Sequence, residues 1–364
     1  MAKYYHYLLL SCLLLLAGCQ SVEYLAIDYM LPADVSFPPS LKRVGVVNNM
    51  PEVPENKPIL AKEKKKDDFE IARKVDYYNG NATIATETLA EALADENYFN
   101  EVIICDSALR TGDITPREAM LSQEEVNRLV DNLDVDFLIA LENVQIHTTR
   151  KIKYMRDWGV YYGTVDAKVY PTVSVYLPNR GTPMVTVNSK DSIFWEEAGN
   201  GPFVQSHLIS EEDVIKQASE FAGTIPVKKL LPYWKTASRY LFCGASVNMR
   251  DAAVYVREKQ WETAIDLWKQ TYATKKGKKK MQAAYNLAVG YEMLDSITTA
   301  VGWALKAQAE ARIVDGVDKK DLTHLTQADL PNYVLTTLYV TELKEREEGL
   351  ARLNMQMQRF NNDF

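Results

Sequence analysis

The sequence predicts a mixed α/β domain followed by an all-α helical repeat domain, an α+β fold class overall, and three observations support this prediction. Before residue 142, short apolar runs alternate with helical patterns, which is typical of βαβ units. From Val165 to Leu177, apolar and polar residues alternate, which is typical of antiparallel strands with one buried face. From Ala252 onward the pattern is helical and repeats itself.

The first 18 residues have the layout of a secretory signal, with a basic Lys3, an apolar run from Tyr7 to Leu16 and small residues before Cys19. The run is shorter than the ~20 apolar residues of a spanning helix. An ordinary cleaved signal or a short anchor is the alternative. Leu16-Ala17-Gly18-Cys19, however, resembles the bacterial lipobox. The resemblance implies a diacylglyceryl group on the Cys19 sulfur and cleavage just before it.

Lipidation of Cys19 makes the membrane a partner and places the folded chain outside the cytoplasm. Gln20 is not the aspartate that retains many lipoproteins at the inner membrane, and no acidic run follows it. We therefore expect the outer membrane, facing the periplasm. Residues 19–40 contain three prolines and are expected to form a lipidated tether, part of which docks on the domain.

Composition excludes one class of partner. The chain has 364 residues, of which 47% are hydrophobic and 25% charged, and its net charge is −7. An acidic protein is a poor candidate for binding nucleic acid, whose phosphates require clustered positive charge.

Cys105 and Cys243 remain after cleavage and lipidation, either as free thiols or as one disulfide.

The predicted α/β domain spans residues 41–243. A capping box at Ser122 marks the start of one helix. Residues 211–231 form another helix, bent at Pro226 because proline lacks the amide hydrogen. Arg239 to Cys243 is either a last strand or a helical link. The remaining predicted elements are strands at 44–47, 102–105, 136–141, 165–177 and 185–195, a helix at 82–97, a long loop at 48–68 and a turn at 178–181.

Residues 244–364 are predicted to be helical repeats closed by a C-terminal helix from Asn332 to about Met357. Ala252, Tyr255 and Ala264 recur 36 residues later, as Ala288, Tyr291 and Ala300. This pattern resembles the tetratricopeptide repeat, whose usual period is ~34 residues. A generic helical bundle with the same small residues is the alternative.

The resemblance to tetratricopeptide repeats implies a concave groove lined by the first helix of each pair. The alternative is that the apolar residues at these positions pack against a neighbouring domain. The groove positions that the resemblance implies are Met249, Val256, Arg257, Gln282, Tyr285, Val289, Glu292 and Met293.

The sequence offers little support for catalysis. No P-loop, nucleotide-binding glycine motif or serine-hydrolase elbow occurs, and no histidine has metal-ligand spacing, so we expect no cofactor and no metal. Glu196 and Glu197 beside Trp195 could serve a carboxylate-based hydrolase.

An aromatic cluster could stack on sugar rings of an envelope glycan such as peptidoglycan, or simply pack at the hairpin. Its members are Tyr154, Trp158, Tyr161 and Tyr162.

Together, the lipobox, the repeats and two segments resemble a family of uncharacterised envelope lipoproteins of Gram-negative anaerobes with a domain of unknown function. The segments are Asp191-Ser192-Ile193-Phe194-Trp195-Glu196 and Leu231-Pro232-Tyr233-Trp234. The α/β layout is also similar to small domains of outer-membrane lipoproteins that regulate or assemble envelope machinery. We expect a non-enzymatic adaptor or assembly factor that binds an envelope protein, with a glycan-binding module as the alternative and a hydrolase third.

Overall fold

A computed structural model describes residues 21–51, 70–105, 107–113, 119–244, 246–319 and 327–361. The predicted signal peptide, Cys19 and most of the loop predicted at 48–68 lie outside these ranges. The chain divides into two compact units. One, the helical unit, comprises the chain up to Leu31 together with Trp234–Leu353. The other, the α/β unit, comprises Pro32–Tyr233 and Asn354–Phe364.

The described strands are β1 (Val22–Leu31), β2 (Arg43–Asn48), β3 (Glu70–Asn79), β4 (Glu101–Ile104), β5 (Phe137–Met155), β6 (Val160–Tyr176), β7 (Val185–Asn188), β8 (Asp191–Gly199) and β9 (Tyr233–Phe242). The described α-helices are α1 (Ala82–Asp95), α2 (Gln123–Leu133), α3 (Gly201–His207), α4 (Glu211–Thr224), α5 (Val227–Leu230), α6 (Val247–Arg257), α7 (Trp261–Thr274), α8 (Lys278–Met293), α9 (Ile297–Val314) and α10 (Pro331–Asn361). The predicted mixture of strands and helices followed by an all-helical region is confirmed.

The α/β unit is built on one seven-stranded sheet of order β4-β2-β5-β6-β7, with β3 added to β5 and β8 added to β6. Strand β2 runs parallel to both β4 and β5, as the βαβ pattern predicts. The predicted hairpin is also present, since β6 pairs antiparallel with β7 and β8. The longest pairing, between β5 and β6, was not predicted.

Two cores lie on opposite faces of this sheet, because successive residues of a strand point to opposite sides. Ile139 packs in the core that α1 and α4 cover, whereas Leu138 packs in the core that α2 covers. Helices α1 and α4 approach closely at Gly223, where an added Cβ would lie 2.6 Å from the Ala85 carbonyl oxygen. The capping box predicted at Ser122 is present, with Glu125 as its second member.

The predicted helix 211–231 is instead two helices. Helix α4 ends at Thr224, and α5 begins after Pro226. Proline has no amide hydrogen to donate to the preceding turn, so the helix is interrupted there.

Helices α6 to α9 form the core of the helical unit, and small residues let them pack closely. Ala252 and Ala288 are fully buried, as are Ala264 and Ala300, so residues 36 positions apart share the same burial. None of the described helices is both long enough and apolar enough to cross a membrane.

The helical unit also contains a two-stranded sheet of β1 and β9. Residues 19–40 were expected to be a tether, but Val22–Leu31 is a strand whose Ile27 and Tyr29 are buried in the helical core. Between Arg239 and Cys243, of the two possibilities left open, the structure contains the strand β9.

Candidate functional site

The predicted groove residues lie mostly inside the helical unit. Met249, Val256, Tyr285, Val289 and Glu292 are buried, and Gln282 and Met293 are half-buried. Arg257 is exposed and pairs with Glu23 of β1. These positions therefore do not form an accessible groove.

Strand β9 is what covers the helix that carries most of these residues. The Phe242 backbone N–H donates to Asn286 Oδ1 at 3.0 Å, and Asn286 Nδ2 donates to the Phe242 carbonyl at 2.8 Å. The Phe242 ring packs edge-on against Tyr285, with 5.4 Å between centroids. The chain's own strand thus occupies the position where the resemblance implies a bound peptide.

Glu292, a predicted groove carboxylate, is completely engaged inside the helical unit. Arg239 donates to both of its oxygens at 2.9 Å, and Tyr339 donates from its hydroxyl at 2.7 Å. Arg346 adds a third charged contact at 3.3 Å. Burial alone would lower the pKa of Arg239, but Glu292 holds that pKa above its ordinary value. The cluster stabilises the fold and leaves this carboxylate no capacity for a ligand.

The predicted aromatic cluster lies at the tip of the β5–β6 hairpin, but the structure separates its members. Tyr154 and Tyr161 face each other across the strands, with centroids 5.1 Å apart. Trp158 lies in the turn and is 68% exposed. Tyr162 points to the opposite face of the sheet, where its hydroxyl donates to Glu196.

Glu196 and Glu197 do not form a carboxylate pair. As successive residues of β8, they point to opposite faces of the sheet.

Cys105 and Cys243 are free thiols, Cys105 in the α/β unit and Cys243 in the helical unit. Cys243 is buried and Cys105 is half-buried. Burial raises the pKa of Cys243 to about 11, which disfavours its thiolate.

A surface that was not predicted from the sequence lies on the half of the sheet that β3, β5, β6 and β8 form. One face of this half carries Val165 and Trp195, which pack against the core that α4 covers. The other face, here called the open face, presents half-buried and exposed side chains. These include Arg73, Val75, Tyr77, His147, Lys151, Lys153, Tyr162, Asp166, Lys168, Tyr170, Phe194 and Glu196.

Aromatic rings run across the middle of the open face. The His147 ring lies 4.4 Å from the Tyr77 ring and 4.8 Å from the Tyr170 ring, measured between centroids. Phe194 on β8 is 52% exposed. Large apolar rings exposed together on a rigid sheet are typical of interaction surfaces.

Among the side chains that the structure describes on the open face, basic groups outnumber acidic ones, although the whole chain is acidic. Its basic side chains are Arg73, Lys151, Lys153 and Lys168, against the acidic Asp166 and Glu196. Partial burial and then the adjacent Lys168 lower the pKa of His147, which favours its neutral form at pH 7. The charge of this surface therefore comes from its lysine, arginine and carboxylate groups and not from His147.

Period-two alternation in 143–153 and 160–170 was the available signal for the open face. That pattern shows that two strands have polar outer faces, but it does not show that β3 and β8 lie beside them.

Two family models match the chain. A domain of unknown function, DUF8603, matches residues 41–242, and a second domain of unknown function, DUF6340, matches residues 250–345. No curated protein and no solved structure matches significantly.

Proposed function

The chain belongs to the DUF8603 family, and we propose that it is a lipid-anchored envelope adaptor that binds a partner protein and catalyses no reaction. The open face of the α/β unit is the observation that supports this proposal. It combines exposed rings with rigid strands, because each of its two central strands is paired on both sides. A preorganised surface of this kind loses little conformational entropy on binding.

The chemistry of the open face selects an acidic partner surface. Lys168 lies opposite His147 in the β5–β6 pairing, and Lys151 lies on the same face of β5, four residues further along the strand. Complementary charge speeds encounter and excludes basic partners, while the rings supply apolar contact area. The proposed partner is therefore a protein that presents carboxylates around an apolar centre.

The anchor in this proposal is Cys19, with the chain held at the outer membrane and facing the periplasm. The support is the lipobox resemblance at Leu16-Ala17-Gly18-Cys19. The helices that resemble tetratricopeptide repeats serve as a scaffold in this proposal rather than as a peptide groove, since β9 packs against α8, which carries most of the predicted groove positions.

Charge reversal on the open face tests the proposal. In envelopes crosslinked in living cells, the double variant K151E/K168E is expected to recover about tenfold less partner than the unaltered chain. The matched control is K216E, an exposed lysine on α4, which covers the other face of the sheet. Undiminished recovery with K151E/K168E, or equal losses in both variants, contradicts the proposal.

Glycan binding at the hairpin tip is the second candidate, favoured by the exposure of Trp158. A ring this exposed, beside the Tyr154–Tyr161 pair, could stack on a sugar. Binding assays with peptidoglycan fragments and capsular polysaccharides should show retention that W158A abolishes. Absence of retention by the unaltered chain would eliminate this candidate.

A further inference from the structure

The described structure begins very close to the proposed lipid attachment. Only Gln20 separates Cys19 from Ser21. The Cys243 backbone N–H donates to the Ser21 carbonyl at 3.0 Å, and β1 begins at the next residue. Two residues span at most ~7 Å. The acyl chains therefore emerge within about one nanometre of a fixed point on the helical unit.

Helix α6 lies beside this point. Gly244 is next to Ser21, since a Cβ added at Gly244 would lie 3.0 Å from the Ser21 Cβ. At the other end of α6, Arg257 pairs with Glu23 of β1. The start of the described chain therefore lies next to the segment that leads into α6, and Glu23 of β1 contacts the last residue of this helix.

Apolar side chains are exposed in this region without a described covering. Val247 is 59% exposed and Val254 is 47% exposed, and they lie seven residues apart on one face of α6. Tyr24 on β1 is 68% exposed. We call Ser21, Tyr24, Val247 and Val254 the anchor-proximal surface. Tyrosine is enriched at the boundary between lipid headgroups and acyl chains, and the valines add apolar area that such a boundary can bury.

We propose that the anchor-proximal surface rests on the bilayer, so that the helical unit lies directly against the headgroups instead of hanging from a flexible tether. The inference depends on lipidation of Cys19, which is part of the proposed function. A bilayer is the expected occupant because the short connection holds the surface at very high effective concentration beside the membrane. Apolar contact can then form without strong intrinsic affinity.

Charge contributes little to this contact. Arg250 and Asp251 lie between the two valines on α6, and both are exposed. Their charges offset one another, so the contact should be equally strong on zwitterionic and on anionic vesicles.

Spin-label accessibility on the lipidated full-length chain tests the inference. In a Cys105→Ser background, a nitroxide is placed at V254C and, as the matched control, at I313C on α9, where Ile313 is 73% exposed. When the chain binds phosphatidylcholine vesicles, the accessibility of the V254C label to a water-soluble nickel complex should fall about threefold. The accessibility of the I313C label should not change. Inserting a long Gly/Ser linker between Gln20 and Ser21 should restore the V254C accessibility.

Mass spectrometry of the same preparations shows whether Cys19 carries lipid, and so distinguishes failure of the proposed anchor from failure of the proposed membrane contact. A chain without lipid on Cys19 overturns both the proposed anchor and this inference. A lipidated, vesicle-bound chain with equal accessibility at V254C and I313C overturns this inference alone. The same holds if the linker insertion leaves the V254C label as protected as before.

Discussion

Glu292 illustrates, at the scale of one residue, why the groove interpretation fails. Its carboxylate is fully buried and is held by Arg239, Arg346 and Tyr339. A charge in this position is stable only because its partners surround it. A glutamate at this helical position fits a groove as well as a buried cluster, so the sequence at Glu292 does not distinguish the two roles.

Removing this charge should destabilise the helical unit strongly. E292Q removes the buried carboxylate that Arg239 and Arg346 share. Arg239 keeps Glu342 and Arg346 keeps Asp295, but both arginines lose their fully buried partner, which is expected to cost about 3–5 kcal/mol. Urea titration of the free energy of unfolding measures the effect. The control D251N removes an exposed carboxylate on α6 and should change stability by no more than about 0.5 kcal/mol. Equal effects in the two variants would show that the buried cluster does not stabilise the fold.

Glu342 makes stability depend on pH. Burial acts to raise its pKa, but the Tyr29 hydroxyl, Lys235 and Arg239 outweigh burial and lower it to about 2. Because ~4.3 is the usual value in an unfolded chain, the ionised carboxylate favours the folded state. Its contribution is complete above that value and is lost as the pH falls toward 2.

The destabilisation that E342Q causes should therefore shrink between about pH 5 and about pH 2. Denaturant titrations at several pH values give this difference directly. A difference that stays constant across the range would refute the assigned shift.

At the scale of elements, close helix packing depends on Gly290 of α8. An added Cβ there would lie 2.9 Å from both Ile265 Cγ1 and Trp268 Cζ3 of α7. G290A should therefore destabilise by about 1–3 kcal/mol through overpacking. At Gly302 of α9 an added Cβ meets nothing within 4 Å, so G302A should stabilise by about 0.5–1 kcal/mol through helix propensity. Thermal melts of the two variants should shift in opposite directions, and shifts of the same sign would contradict this packing.

Strand β9 should detach from the helices when Asn286 is removed. N286A leaves the buried N–H and C=O of Phe242 without partners, at about 1–3 kcal/mol for each group. Hydrogen exchange at the amides of residues 240–243 should accelerate. The control N248A removes only an exposed contact to Gln270 and should leave these amides unchanged. Unaltered protection in N286A would mean that other contacts hold the strand.

Features that depend on residues close together in the sequence were predictable, whereas features that depend on distant segments were not. The helix beginning after Ser122 was predictable because its cap and its apolar face are local. Strands β1 and β9 were not recognised as a pair because their pairing joins segments about 200 residues apart. The groove prediction failed for the same reason, since apolar residues that line a groove and those that contact a strand have the same helical spacing. The open face depends on β3 and β8 flanking the hairpin, which is a tertiary fact.

At the scale of the whole molecule, the two units have different tasks in this account. The helical unit carries β1, which directly follows the proposed anchor, and its core is closed by the chain's own strand. The α/β unit presents the open face, the exposed ring-bearing surface with excess positive charge. Attachment to the membrane and partner binding are thus assigned to different parts of the chain.

Photocrosslinking in living cells tests the central claim, that the open face binds a protein, most directly. A photoreactive amino acid replaces Phe194 on the open face or, as the control, Lys216 on α4. If the open face binds a protein, position 194 should give a discrete adduct with a second protein, the K151E/K168E variant should lose this adduct, and position 216 should give none. The absence of an adduct at position 194, or the same adduct from both positions, would contradict it.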